Sequence, residues 1–195
     1  MPAALLNASN ARYYRLALED HPLYLVATDG GLIDKPVELA ELLLAPGERA
    51  EVLVRLDRAG NVALHNRPYE RGVMTMADME SAGGHGAHDM SGMAGMEHEA
   101  EPEVLLTISA PPNLRAAALP GTLVGVPVLR EENAQVTRRI AFSEDHLAAR
   151  FFVNGRAVDH RRTDVTARQG DIKVWEVVNE GDMDHPFHLH VYPFQ

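Results

Sequence analysis

Apolar residues in this chain recur at every second position in short runs, over residues 13–18, 23–27, 51–56, 61–65 and 104–109. Successive side chains of an extended strand point to opposite faces, so each run describes a strand with one buried and one solvated side. Turn chemistry separates the runs. Asp29-Gly30-Gly31 supplies residues tolerant of positive φ, and Pro46-Gly47 stands between Leu42-Leu43-Leu44 and the alternating Glu51-Val52-Leu53-Val54, a pattern of strand, turn and strand. Further strand patterns follow at 139–142, at 151–153 and 157–158 around the hairpin dipeptide Asn154-Gly155, at 171–178 and at 188–192. Only residues 36–44 read as mildly helical. Many short strands at regular spacing predict an all-β sandwich or barrel.

Two stretches break the pattern. Residues 73–100 hold six of the eight methionines (Met74, Met76, Met79, Met90, Met93 and Met96) with His85, His88 and His98 and several Gly. Such low-complexity sequence builds no core of its own. Residues 110–135 contain Pro111, Pro112, Pro120 and Pro127 with few alternating positions, which reads as an interdomain connection. The expected organisation is a β domain over residues 1–110, a linker over 111–135, and the beginning of a second β domain over 136–195. The chain enters in mid-strand and stops directly after its richest motif, so a fragment of a longer protein is expected.

Charge and thiol content narrow the chemistry. Lys and Arg number 18 against 28 Asp and Glu, a net charge of −10, which disfavours a nucleic-acid partner because polyphosphate affinity rests on clustered cations. No apolar run approaches the roughly 18 residues that cross a bilayer. The chain has no Cys, which excludes disulfides, iron–sulfur clusters, zinc ribbons and thiol catalysis. Any metal must be held by His, carboxylate or Met.

The sharpest motif is Asp184-His185-Pro186-Phe187-His188-Leu189-His190. In a strand, His188 and His190 share a face with Cα atoms about 6.5 to 7 Å apart, so their imidazoles can serve one metal or two neighbouring metals. His185 has the opposite parity, and Pro186 removes a ladder donor and fixes φ between them. Parity therefore predicts two distinct metal sites joined by one strand. Imidazole suits Zn, Cu, Fe and Ni alike, so ligand type alone leaves the ion open.

At these residues the sequence resembles the multicopper oxidases, the family of laccases and periplasmic cuprous oxidases. His185-Pro186-Phe187-His188-Leu189-His190 matches the first copper motif of that family's third domain. Phe152-Val153-Asn154-Gly155-Arg156 is similar to the hairpin before it, and Gly170-Asp171 with Trp175-Glu176-Val177-Val178-Asn179 to the strand leading into it. Leu5-Leu6-Asn7-Ala8, Asp29-Gly30-Gly31 and Leu44-Ala45-Pro46-Gly47-Glu48-Arg49 resemble the second domain. The resemblance implies a cupredoxin-like Greek-key β-sandwich, one nearly complete and one begun. It implies that His185 ligates the type 1 copper, His188 the type 2 copper and His190 one of the type 3 pair. It further implies a phenolic or cuprous substrate, dioxygen as electron acceptor, the missing domains of the parent chain as partners, no membrane partner, and a periplasmic or secreted location. The family's other histidine motifs are absent and no Cys is present, so this polypeptide alone is expected to be inactive toward dioxygen.

The Met- and His-rich segment reads either as a copper-collecting loop, because thioethers select Cu(I), or as an ordinary surface loop. A non-catalytic copper-binding or structural protein on the same scaffold is the alternative function, and a single-metal cupin-type barrel a weaker one. His21-Pro22 lacks a following His-x-His and is expected to be structural, His65 receives no role, and His146 and His160 are expected to be solvated. Trp175 reads as a core aromatic. Asp182 and Asp184 are candidates to support ligand imidazoles, and residues 143–146 form nothing like a hydrolase triad.

Overall fold

The computed structural model describes residues 1–70, 101–145, 150–189 and 194–195. In chain order the strands are β1 (Pro2–Leu6), β2 (Tyr14–Leu18), β3 (Leu23–Thr28), β4 (Gly31–Leu39), β5 (Leu42–Leu44), β6 (Arg49–Val54), β7 (Gly60–Arg67), β8 (Glu103–Ala110), β9 (Val136–Asp145), β10 (Arg150–Val153), β11 (Arg156–Ala157) and β12 (Lys173–Asn179). One 3-10 turn, Glu131–Asn133, is the only helical element among the described residues. The chain divides into two compact units. Of the described residues, the first holds 1–70, 101–126 and the segment from Pro186; the second holds Pro127–His185.

The first unit has two four-stranded sheets, ordered β1-β6-β3-β4 and β5-β2-β7-β8. Strand β6 shows why they form: Ala50, Val52 and Val54 are buried while Arg49 and Glu51 are exposed, the period of two that one-sided burial demands. One core cluster joins Leu16 and Leu18 of β2, Leu23 of β3, Val52 of β6 and Leu64 of β7, so both sheets turn their apolar faces to a shared interior. The all-β expectation holds.

The mildly helical reading of residues 36–44 fails. Those residues form the end of β4 and all of β5, in different sheets, with Ala40 and Glu41 between them. The leucines that mimic a helical stripe bury Leu42 and Leu44 by strand alternation and leave Leu43 exposed. Pro36 is tolerated because β4 lies at the edge of its sheet, where a missing N–H breaks no ladder.

Among the described residues, two polar side chains are buried in this unit, and both hold turns. Asn7, 2% exposed, donates through Nδ2 to the carbonyls of Arg12 (2.7 Å) and Leu44 (2.9 Å), while its Oδ1 accepts from the Ser9 N–H (3.0 Å) and hydroxyl (2.6 Å). Its backbone pairs with Gly47 and Glu48, and Gly47 takes φ +83°. The His21 imidazole spans the Glu19 carbonyl at 2.7 Å and the Asp57 carboxylate at 3.5 Å, a structural role as the sequence implied. In the proline-rich stretch, Leu114 packs on the core and the Leu123 N–H donates to the Asp34 carbonyl at 2.8 Å.

The second unit is one sheet ordered β11-β10-β9-β12. Strands β9 and β12 run parallel, from Val136 opposite Lys173 to Phe142 opposite Asn179. Gln135 pins that register: its N–H donates to the Ile172 carbonyl (3.0 Å) and its Oε1 accepts from the Ile172 N–H (2.7 Å). Asn154 (φ +50°) and Gly155 (φ +71°) form the two-residue turn between β10 and β11. Space around Gly155 is open, so Gly155→Ala carries only backbone strain. Chemical denaturation should show a loss of about 1 kcal/mol for a residue forced left-handed. Gly121→Ala, equally open and without positive φ, should be near neutral.

Candidate metal centre

The even-numbered positions of β9 carry its larger apolar side chains, Ile140 buried and Phe142 half-buried, and Glu144 follows in the same parity; the small Ala141 on the other face is buried as well. The alternation thus carries a carboxylate to the face of Ile140 and Phe142, and its side chain is only 2% exposed. The parallel partner β12 ends at Asn179, where an Asx turn forms: the Gly181 N–H donates to Asn179 Oδ1 (3.1 Å) and Asn179 Nδ2 donates to the Met183 carbonyl (2.8 Å). That turn presents the N–H groups of Asp182 (2.7 Å) and Met183 (3.0 Å) to Glu144 Oε1. A Cβ on Gly181 would overlap the Glu144 carboxylate, so the carboxylate keeps this seat only beside a residue without a side chain.

Two residues beyond Met183, the Nε2 of His185 lies 2.8 Å from Glu144 Oε2. The imidazole is stacked on Phe142 (centroids 5.6 Å apart, planes 19° apart) and meets Phe151 edge-on at 6.0 Å. Burial pushes the Glu144 carboxyl up, but the hydrogen bond from His185 and those from the Met183 and Asp182 amides outweigh it and hold it below the ordinary carboxylate value. Glu144 thus accepts from the two backbone amides through Oε1 and holds Oε2 at hydrogen-bond distance from the His185 ring.

His188 lies in the first unit, with Nδ1 3.4 Å from Asp29 Oδ2. Asp29 also accepts from the Arg49 N–H and pairs with its guanidinium, each at 2.9 Å. His188 and Leu189 lie in no strand; His190 and the rest of the expected strand fall outside the described residues, as do His146 and the Met- and His-rich segment 73–100. His160 is exposed in a turn. Among the described residues no three His, Cys, Asp or Glu side chains converge on a common point.

The arrangement around His185 suits a metal ligand. Ligating histidines usually donate their second ring N–H to a carboxylate, which orients the ring and raises its basicity. With Nε2–H donated to Glu144, Nδ1 keeps the lone pair. Imidazole nitrogen is a fitting donor for copper, whereas the thiolate of a blue-copper site cannot come from these residues, which include no Cys. Glu144 and Gly181 were not singled out from the sequence. The available signal was parity: Glu144 shares the face of Ile140 and Phe142 along the strand.

Two family models, both described as multicopper oxidase, match residues 3–82 and 130–195. Among curated proteins, the chain is 31% identical over 198 residues to the cell division protein FtsP of Xenorhabdus nematophila, covering 95% of the chain and 35% of that protein. It is 28% identical to the multicopper oxidase LPR1 homolog 1 of Oryza sativa subsp. japonica, covering 98% of the chain and 31% of that protein. Among solved structures, a multicopper oxidase from Campylobacter jejuni, a metallo-oxidase, aligns with TM-score 0.76 at 28% identity over 97% of the chain and 39% of its own. A variant of the McoA multicopper oxidase from Aquifex aeolicus aligns with TM-score 0.73 at 26% identity, over all of this chain and 41% of its own. The chain thus spans about a third of the length of the curated relatives it matches.

Proposed function

Because this chain belongs to the multicopper oxidase family, we propose that it contributes the second cupredoxin domain and the beginning of the third to an oxidase coupling one-electron oxidation of a phenolic or cuprous substrate to reduction of dioxygen to water. Residues 1–110 would be the second domain, 111–135 the linker and 136–195 the start of the third. In this reading His185 is a type 1 ligand, His188 a type 2 ligand and His190 a type 3 ligand. Copper, when bound, supplies the one-electron redox chemistry.

The chain's own residues prepare for it. Glu144 fixes the orientation of His185, Phe142 covers one face of its ring and Phe151 packs against it edge-on. The observation that carries the reading is the divergence within the motif: His185 engages Glu144 of the second unit and His188 engages Asp29 of the first. A periplasmic or secreted location fits the family and belongs to the same proposal.

The matches to cell division proteins favour a second reading, a structural or non-catalytic copper-binding member. Both readings are separable by dioxygen consumption with a phenol or cuprous ion, measured on the gene product that carries the remaining copper ligands. Turnover that vanishes in His185→Ala and in His188→Ala supports the oxidase. Copper binding without any dioxygen uptake would replace it with the structural reading. Cu(I) titration of the protein with and without residues 73–100 separates a copper-collecting loop from an inert one.

A further inference from the structure

We propose that Glu144 is a positioning residue whose carboxylate, anchored by two backbone amides, dictates the tautomer of His185, and thereby which ring nitrogen a metal can reach. The inference rests on the copper-ligand reading of His185 only for its consequence, and on geometry for the tautomer itself.

The two carboxylate oxygens have unequal duties. Oε1 receives two backbone N–H groups, from Asp182 at 2.7 Å and Met183 at 3.0 Å, and Oε2 faces His185 Nε2 at 2.8 Å. Backbone amides only donate, so the Oε1 position must hold an acceptor whatever residue stands at 144. A carboxylate offers an acceptor at the other position as well, so Nε2 must carry the hydrogen and Nδ1 the lone pair. A ring flip offers no escape, because it would replace Nε2 by a carbon and lose the bond to Oε2.

The isosteric amide reverses this. In Glu144→Gln the side-chain oxygen is claimed by Asp182 and Met183, which turns the NH2 group toward His185. That group donates, so Nε2 must now accept and the hydrogen moves to Nδ1. Shape, burial and the number of hydrogen bonds are unchanged. What changes is that the nitrogen left for a metal is capped by a proton.

Long-range 1H–15N correlation spectra distinguish the two neutral tautomers directly, without any metal. Where the spectra show a neutral ring, His185 should be the Nε2–H tautomer in the unaltered protein and the Nδ1–H tautomer in Glu144→Gln. Cu(II) titration should then show about a 10- to 100-fold loss of affinity at His185 in the variant. An Nδ1–H tautomer in the unaltered protein overturns the inference, and so does an Nε2–H tautomer in a folded Glu144→Gln. The first measurement needs no variant, so it decides even where the substitution impairs folding. Inversion of the tautomer with unchanged copper affinity would instead overturn the copper reading of His185 and leave the role of Glu144 intact.

Discussion

Gly181→Ala is expected to expel the Glu144 carboxylate from its seat. The new methyl group would occupy the volume of the carboxylate itself, a side-chain end that is only 2% exposed where it sits, so the carboxylate has to swing away. Its departure strands the N–H groups of Asp182 and Met183 and removes the partner of His185 Nε2. The Asp182 N–H is exposed and the Met183 N–H and His185 ring are only part-buried, so water repairs part of the loss and a destabilisation of about 2 kcal/mol in chemical denaturation is expected. Copper affinity at His185 should fall by about 10- to 100-fold with it. The overlap is with the Glu144 side chain alone, so the double substitution Gly181→Ala with Glu144→Ala should cost clearly less than the sum of the singles. Full additivity would mean that the turn and the carboxylate do not meet as described.

Asn7→Leu is expected to be comparably damaging for a different reason. Leucine matches the volume of Asn7 but supplies none of its four hydrogen bonds, leaving the carbonyls of Arg12 and Leu44 and the N–H of Ser9 without their partner. The Asn7 side chain ties the end of β1 to the Pro46-Gly47 turn that carries the chain between sheets, so its loss loosens both. A destabilisation of about 3 kcal/mol is expected in urea unfolding of the first unit. Asn7→Asp should be at least as costly, because it sets a carboxylate against two carbonyl oxygens. A change below about 1 kcal/mol in either variant would show that water replaces these bonds freely.

Strand identity was legible wherever one face is buried. The alternation at residues 51–56 emerges as β6, and the Asn154-Gly155 dipeptide sits at the β10–β11 turn with both residues at positive φ. Residues 36–44 misled because leucines spaced three and four apart fit a helix face as well as two successive strands in different sheets. Only the position of β4 at a sheet edge, a tertiary fact, makes Pro36 compatible with a strand.

The site was legible in part. The motif pointed to His185, His188 and His190, but the residue that orients His185 lies 41 positions away on β9 and meets it only through the β9–β12 pairing and the Asx turn at Asn179. Asp182 was considered for its carboxylate; what it demonstrably contributes is its backbone N–H. Gly181 could not be read from spacing at all, since its requirement comes from the close approach of a distant side chain.

The proposal stands or falls on whether the imidazoles of His185 and His188 belong to different coppers. Anomalous diffraction at the copper edge, from crystals of the copper-loaded gene product, locates each ion against each ring. The expected result is one ion on Nδ1 of His185, with Glu144 on the opposite nitrogen, and a separate ion at His188. A single ion held by both rings, or copper bound by neither, would contradict it.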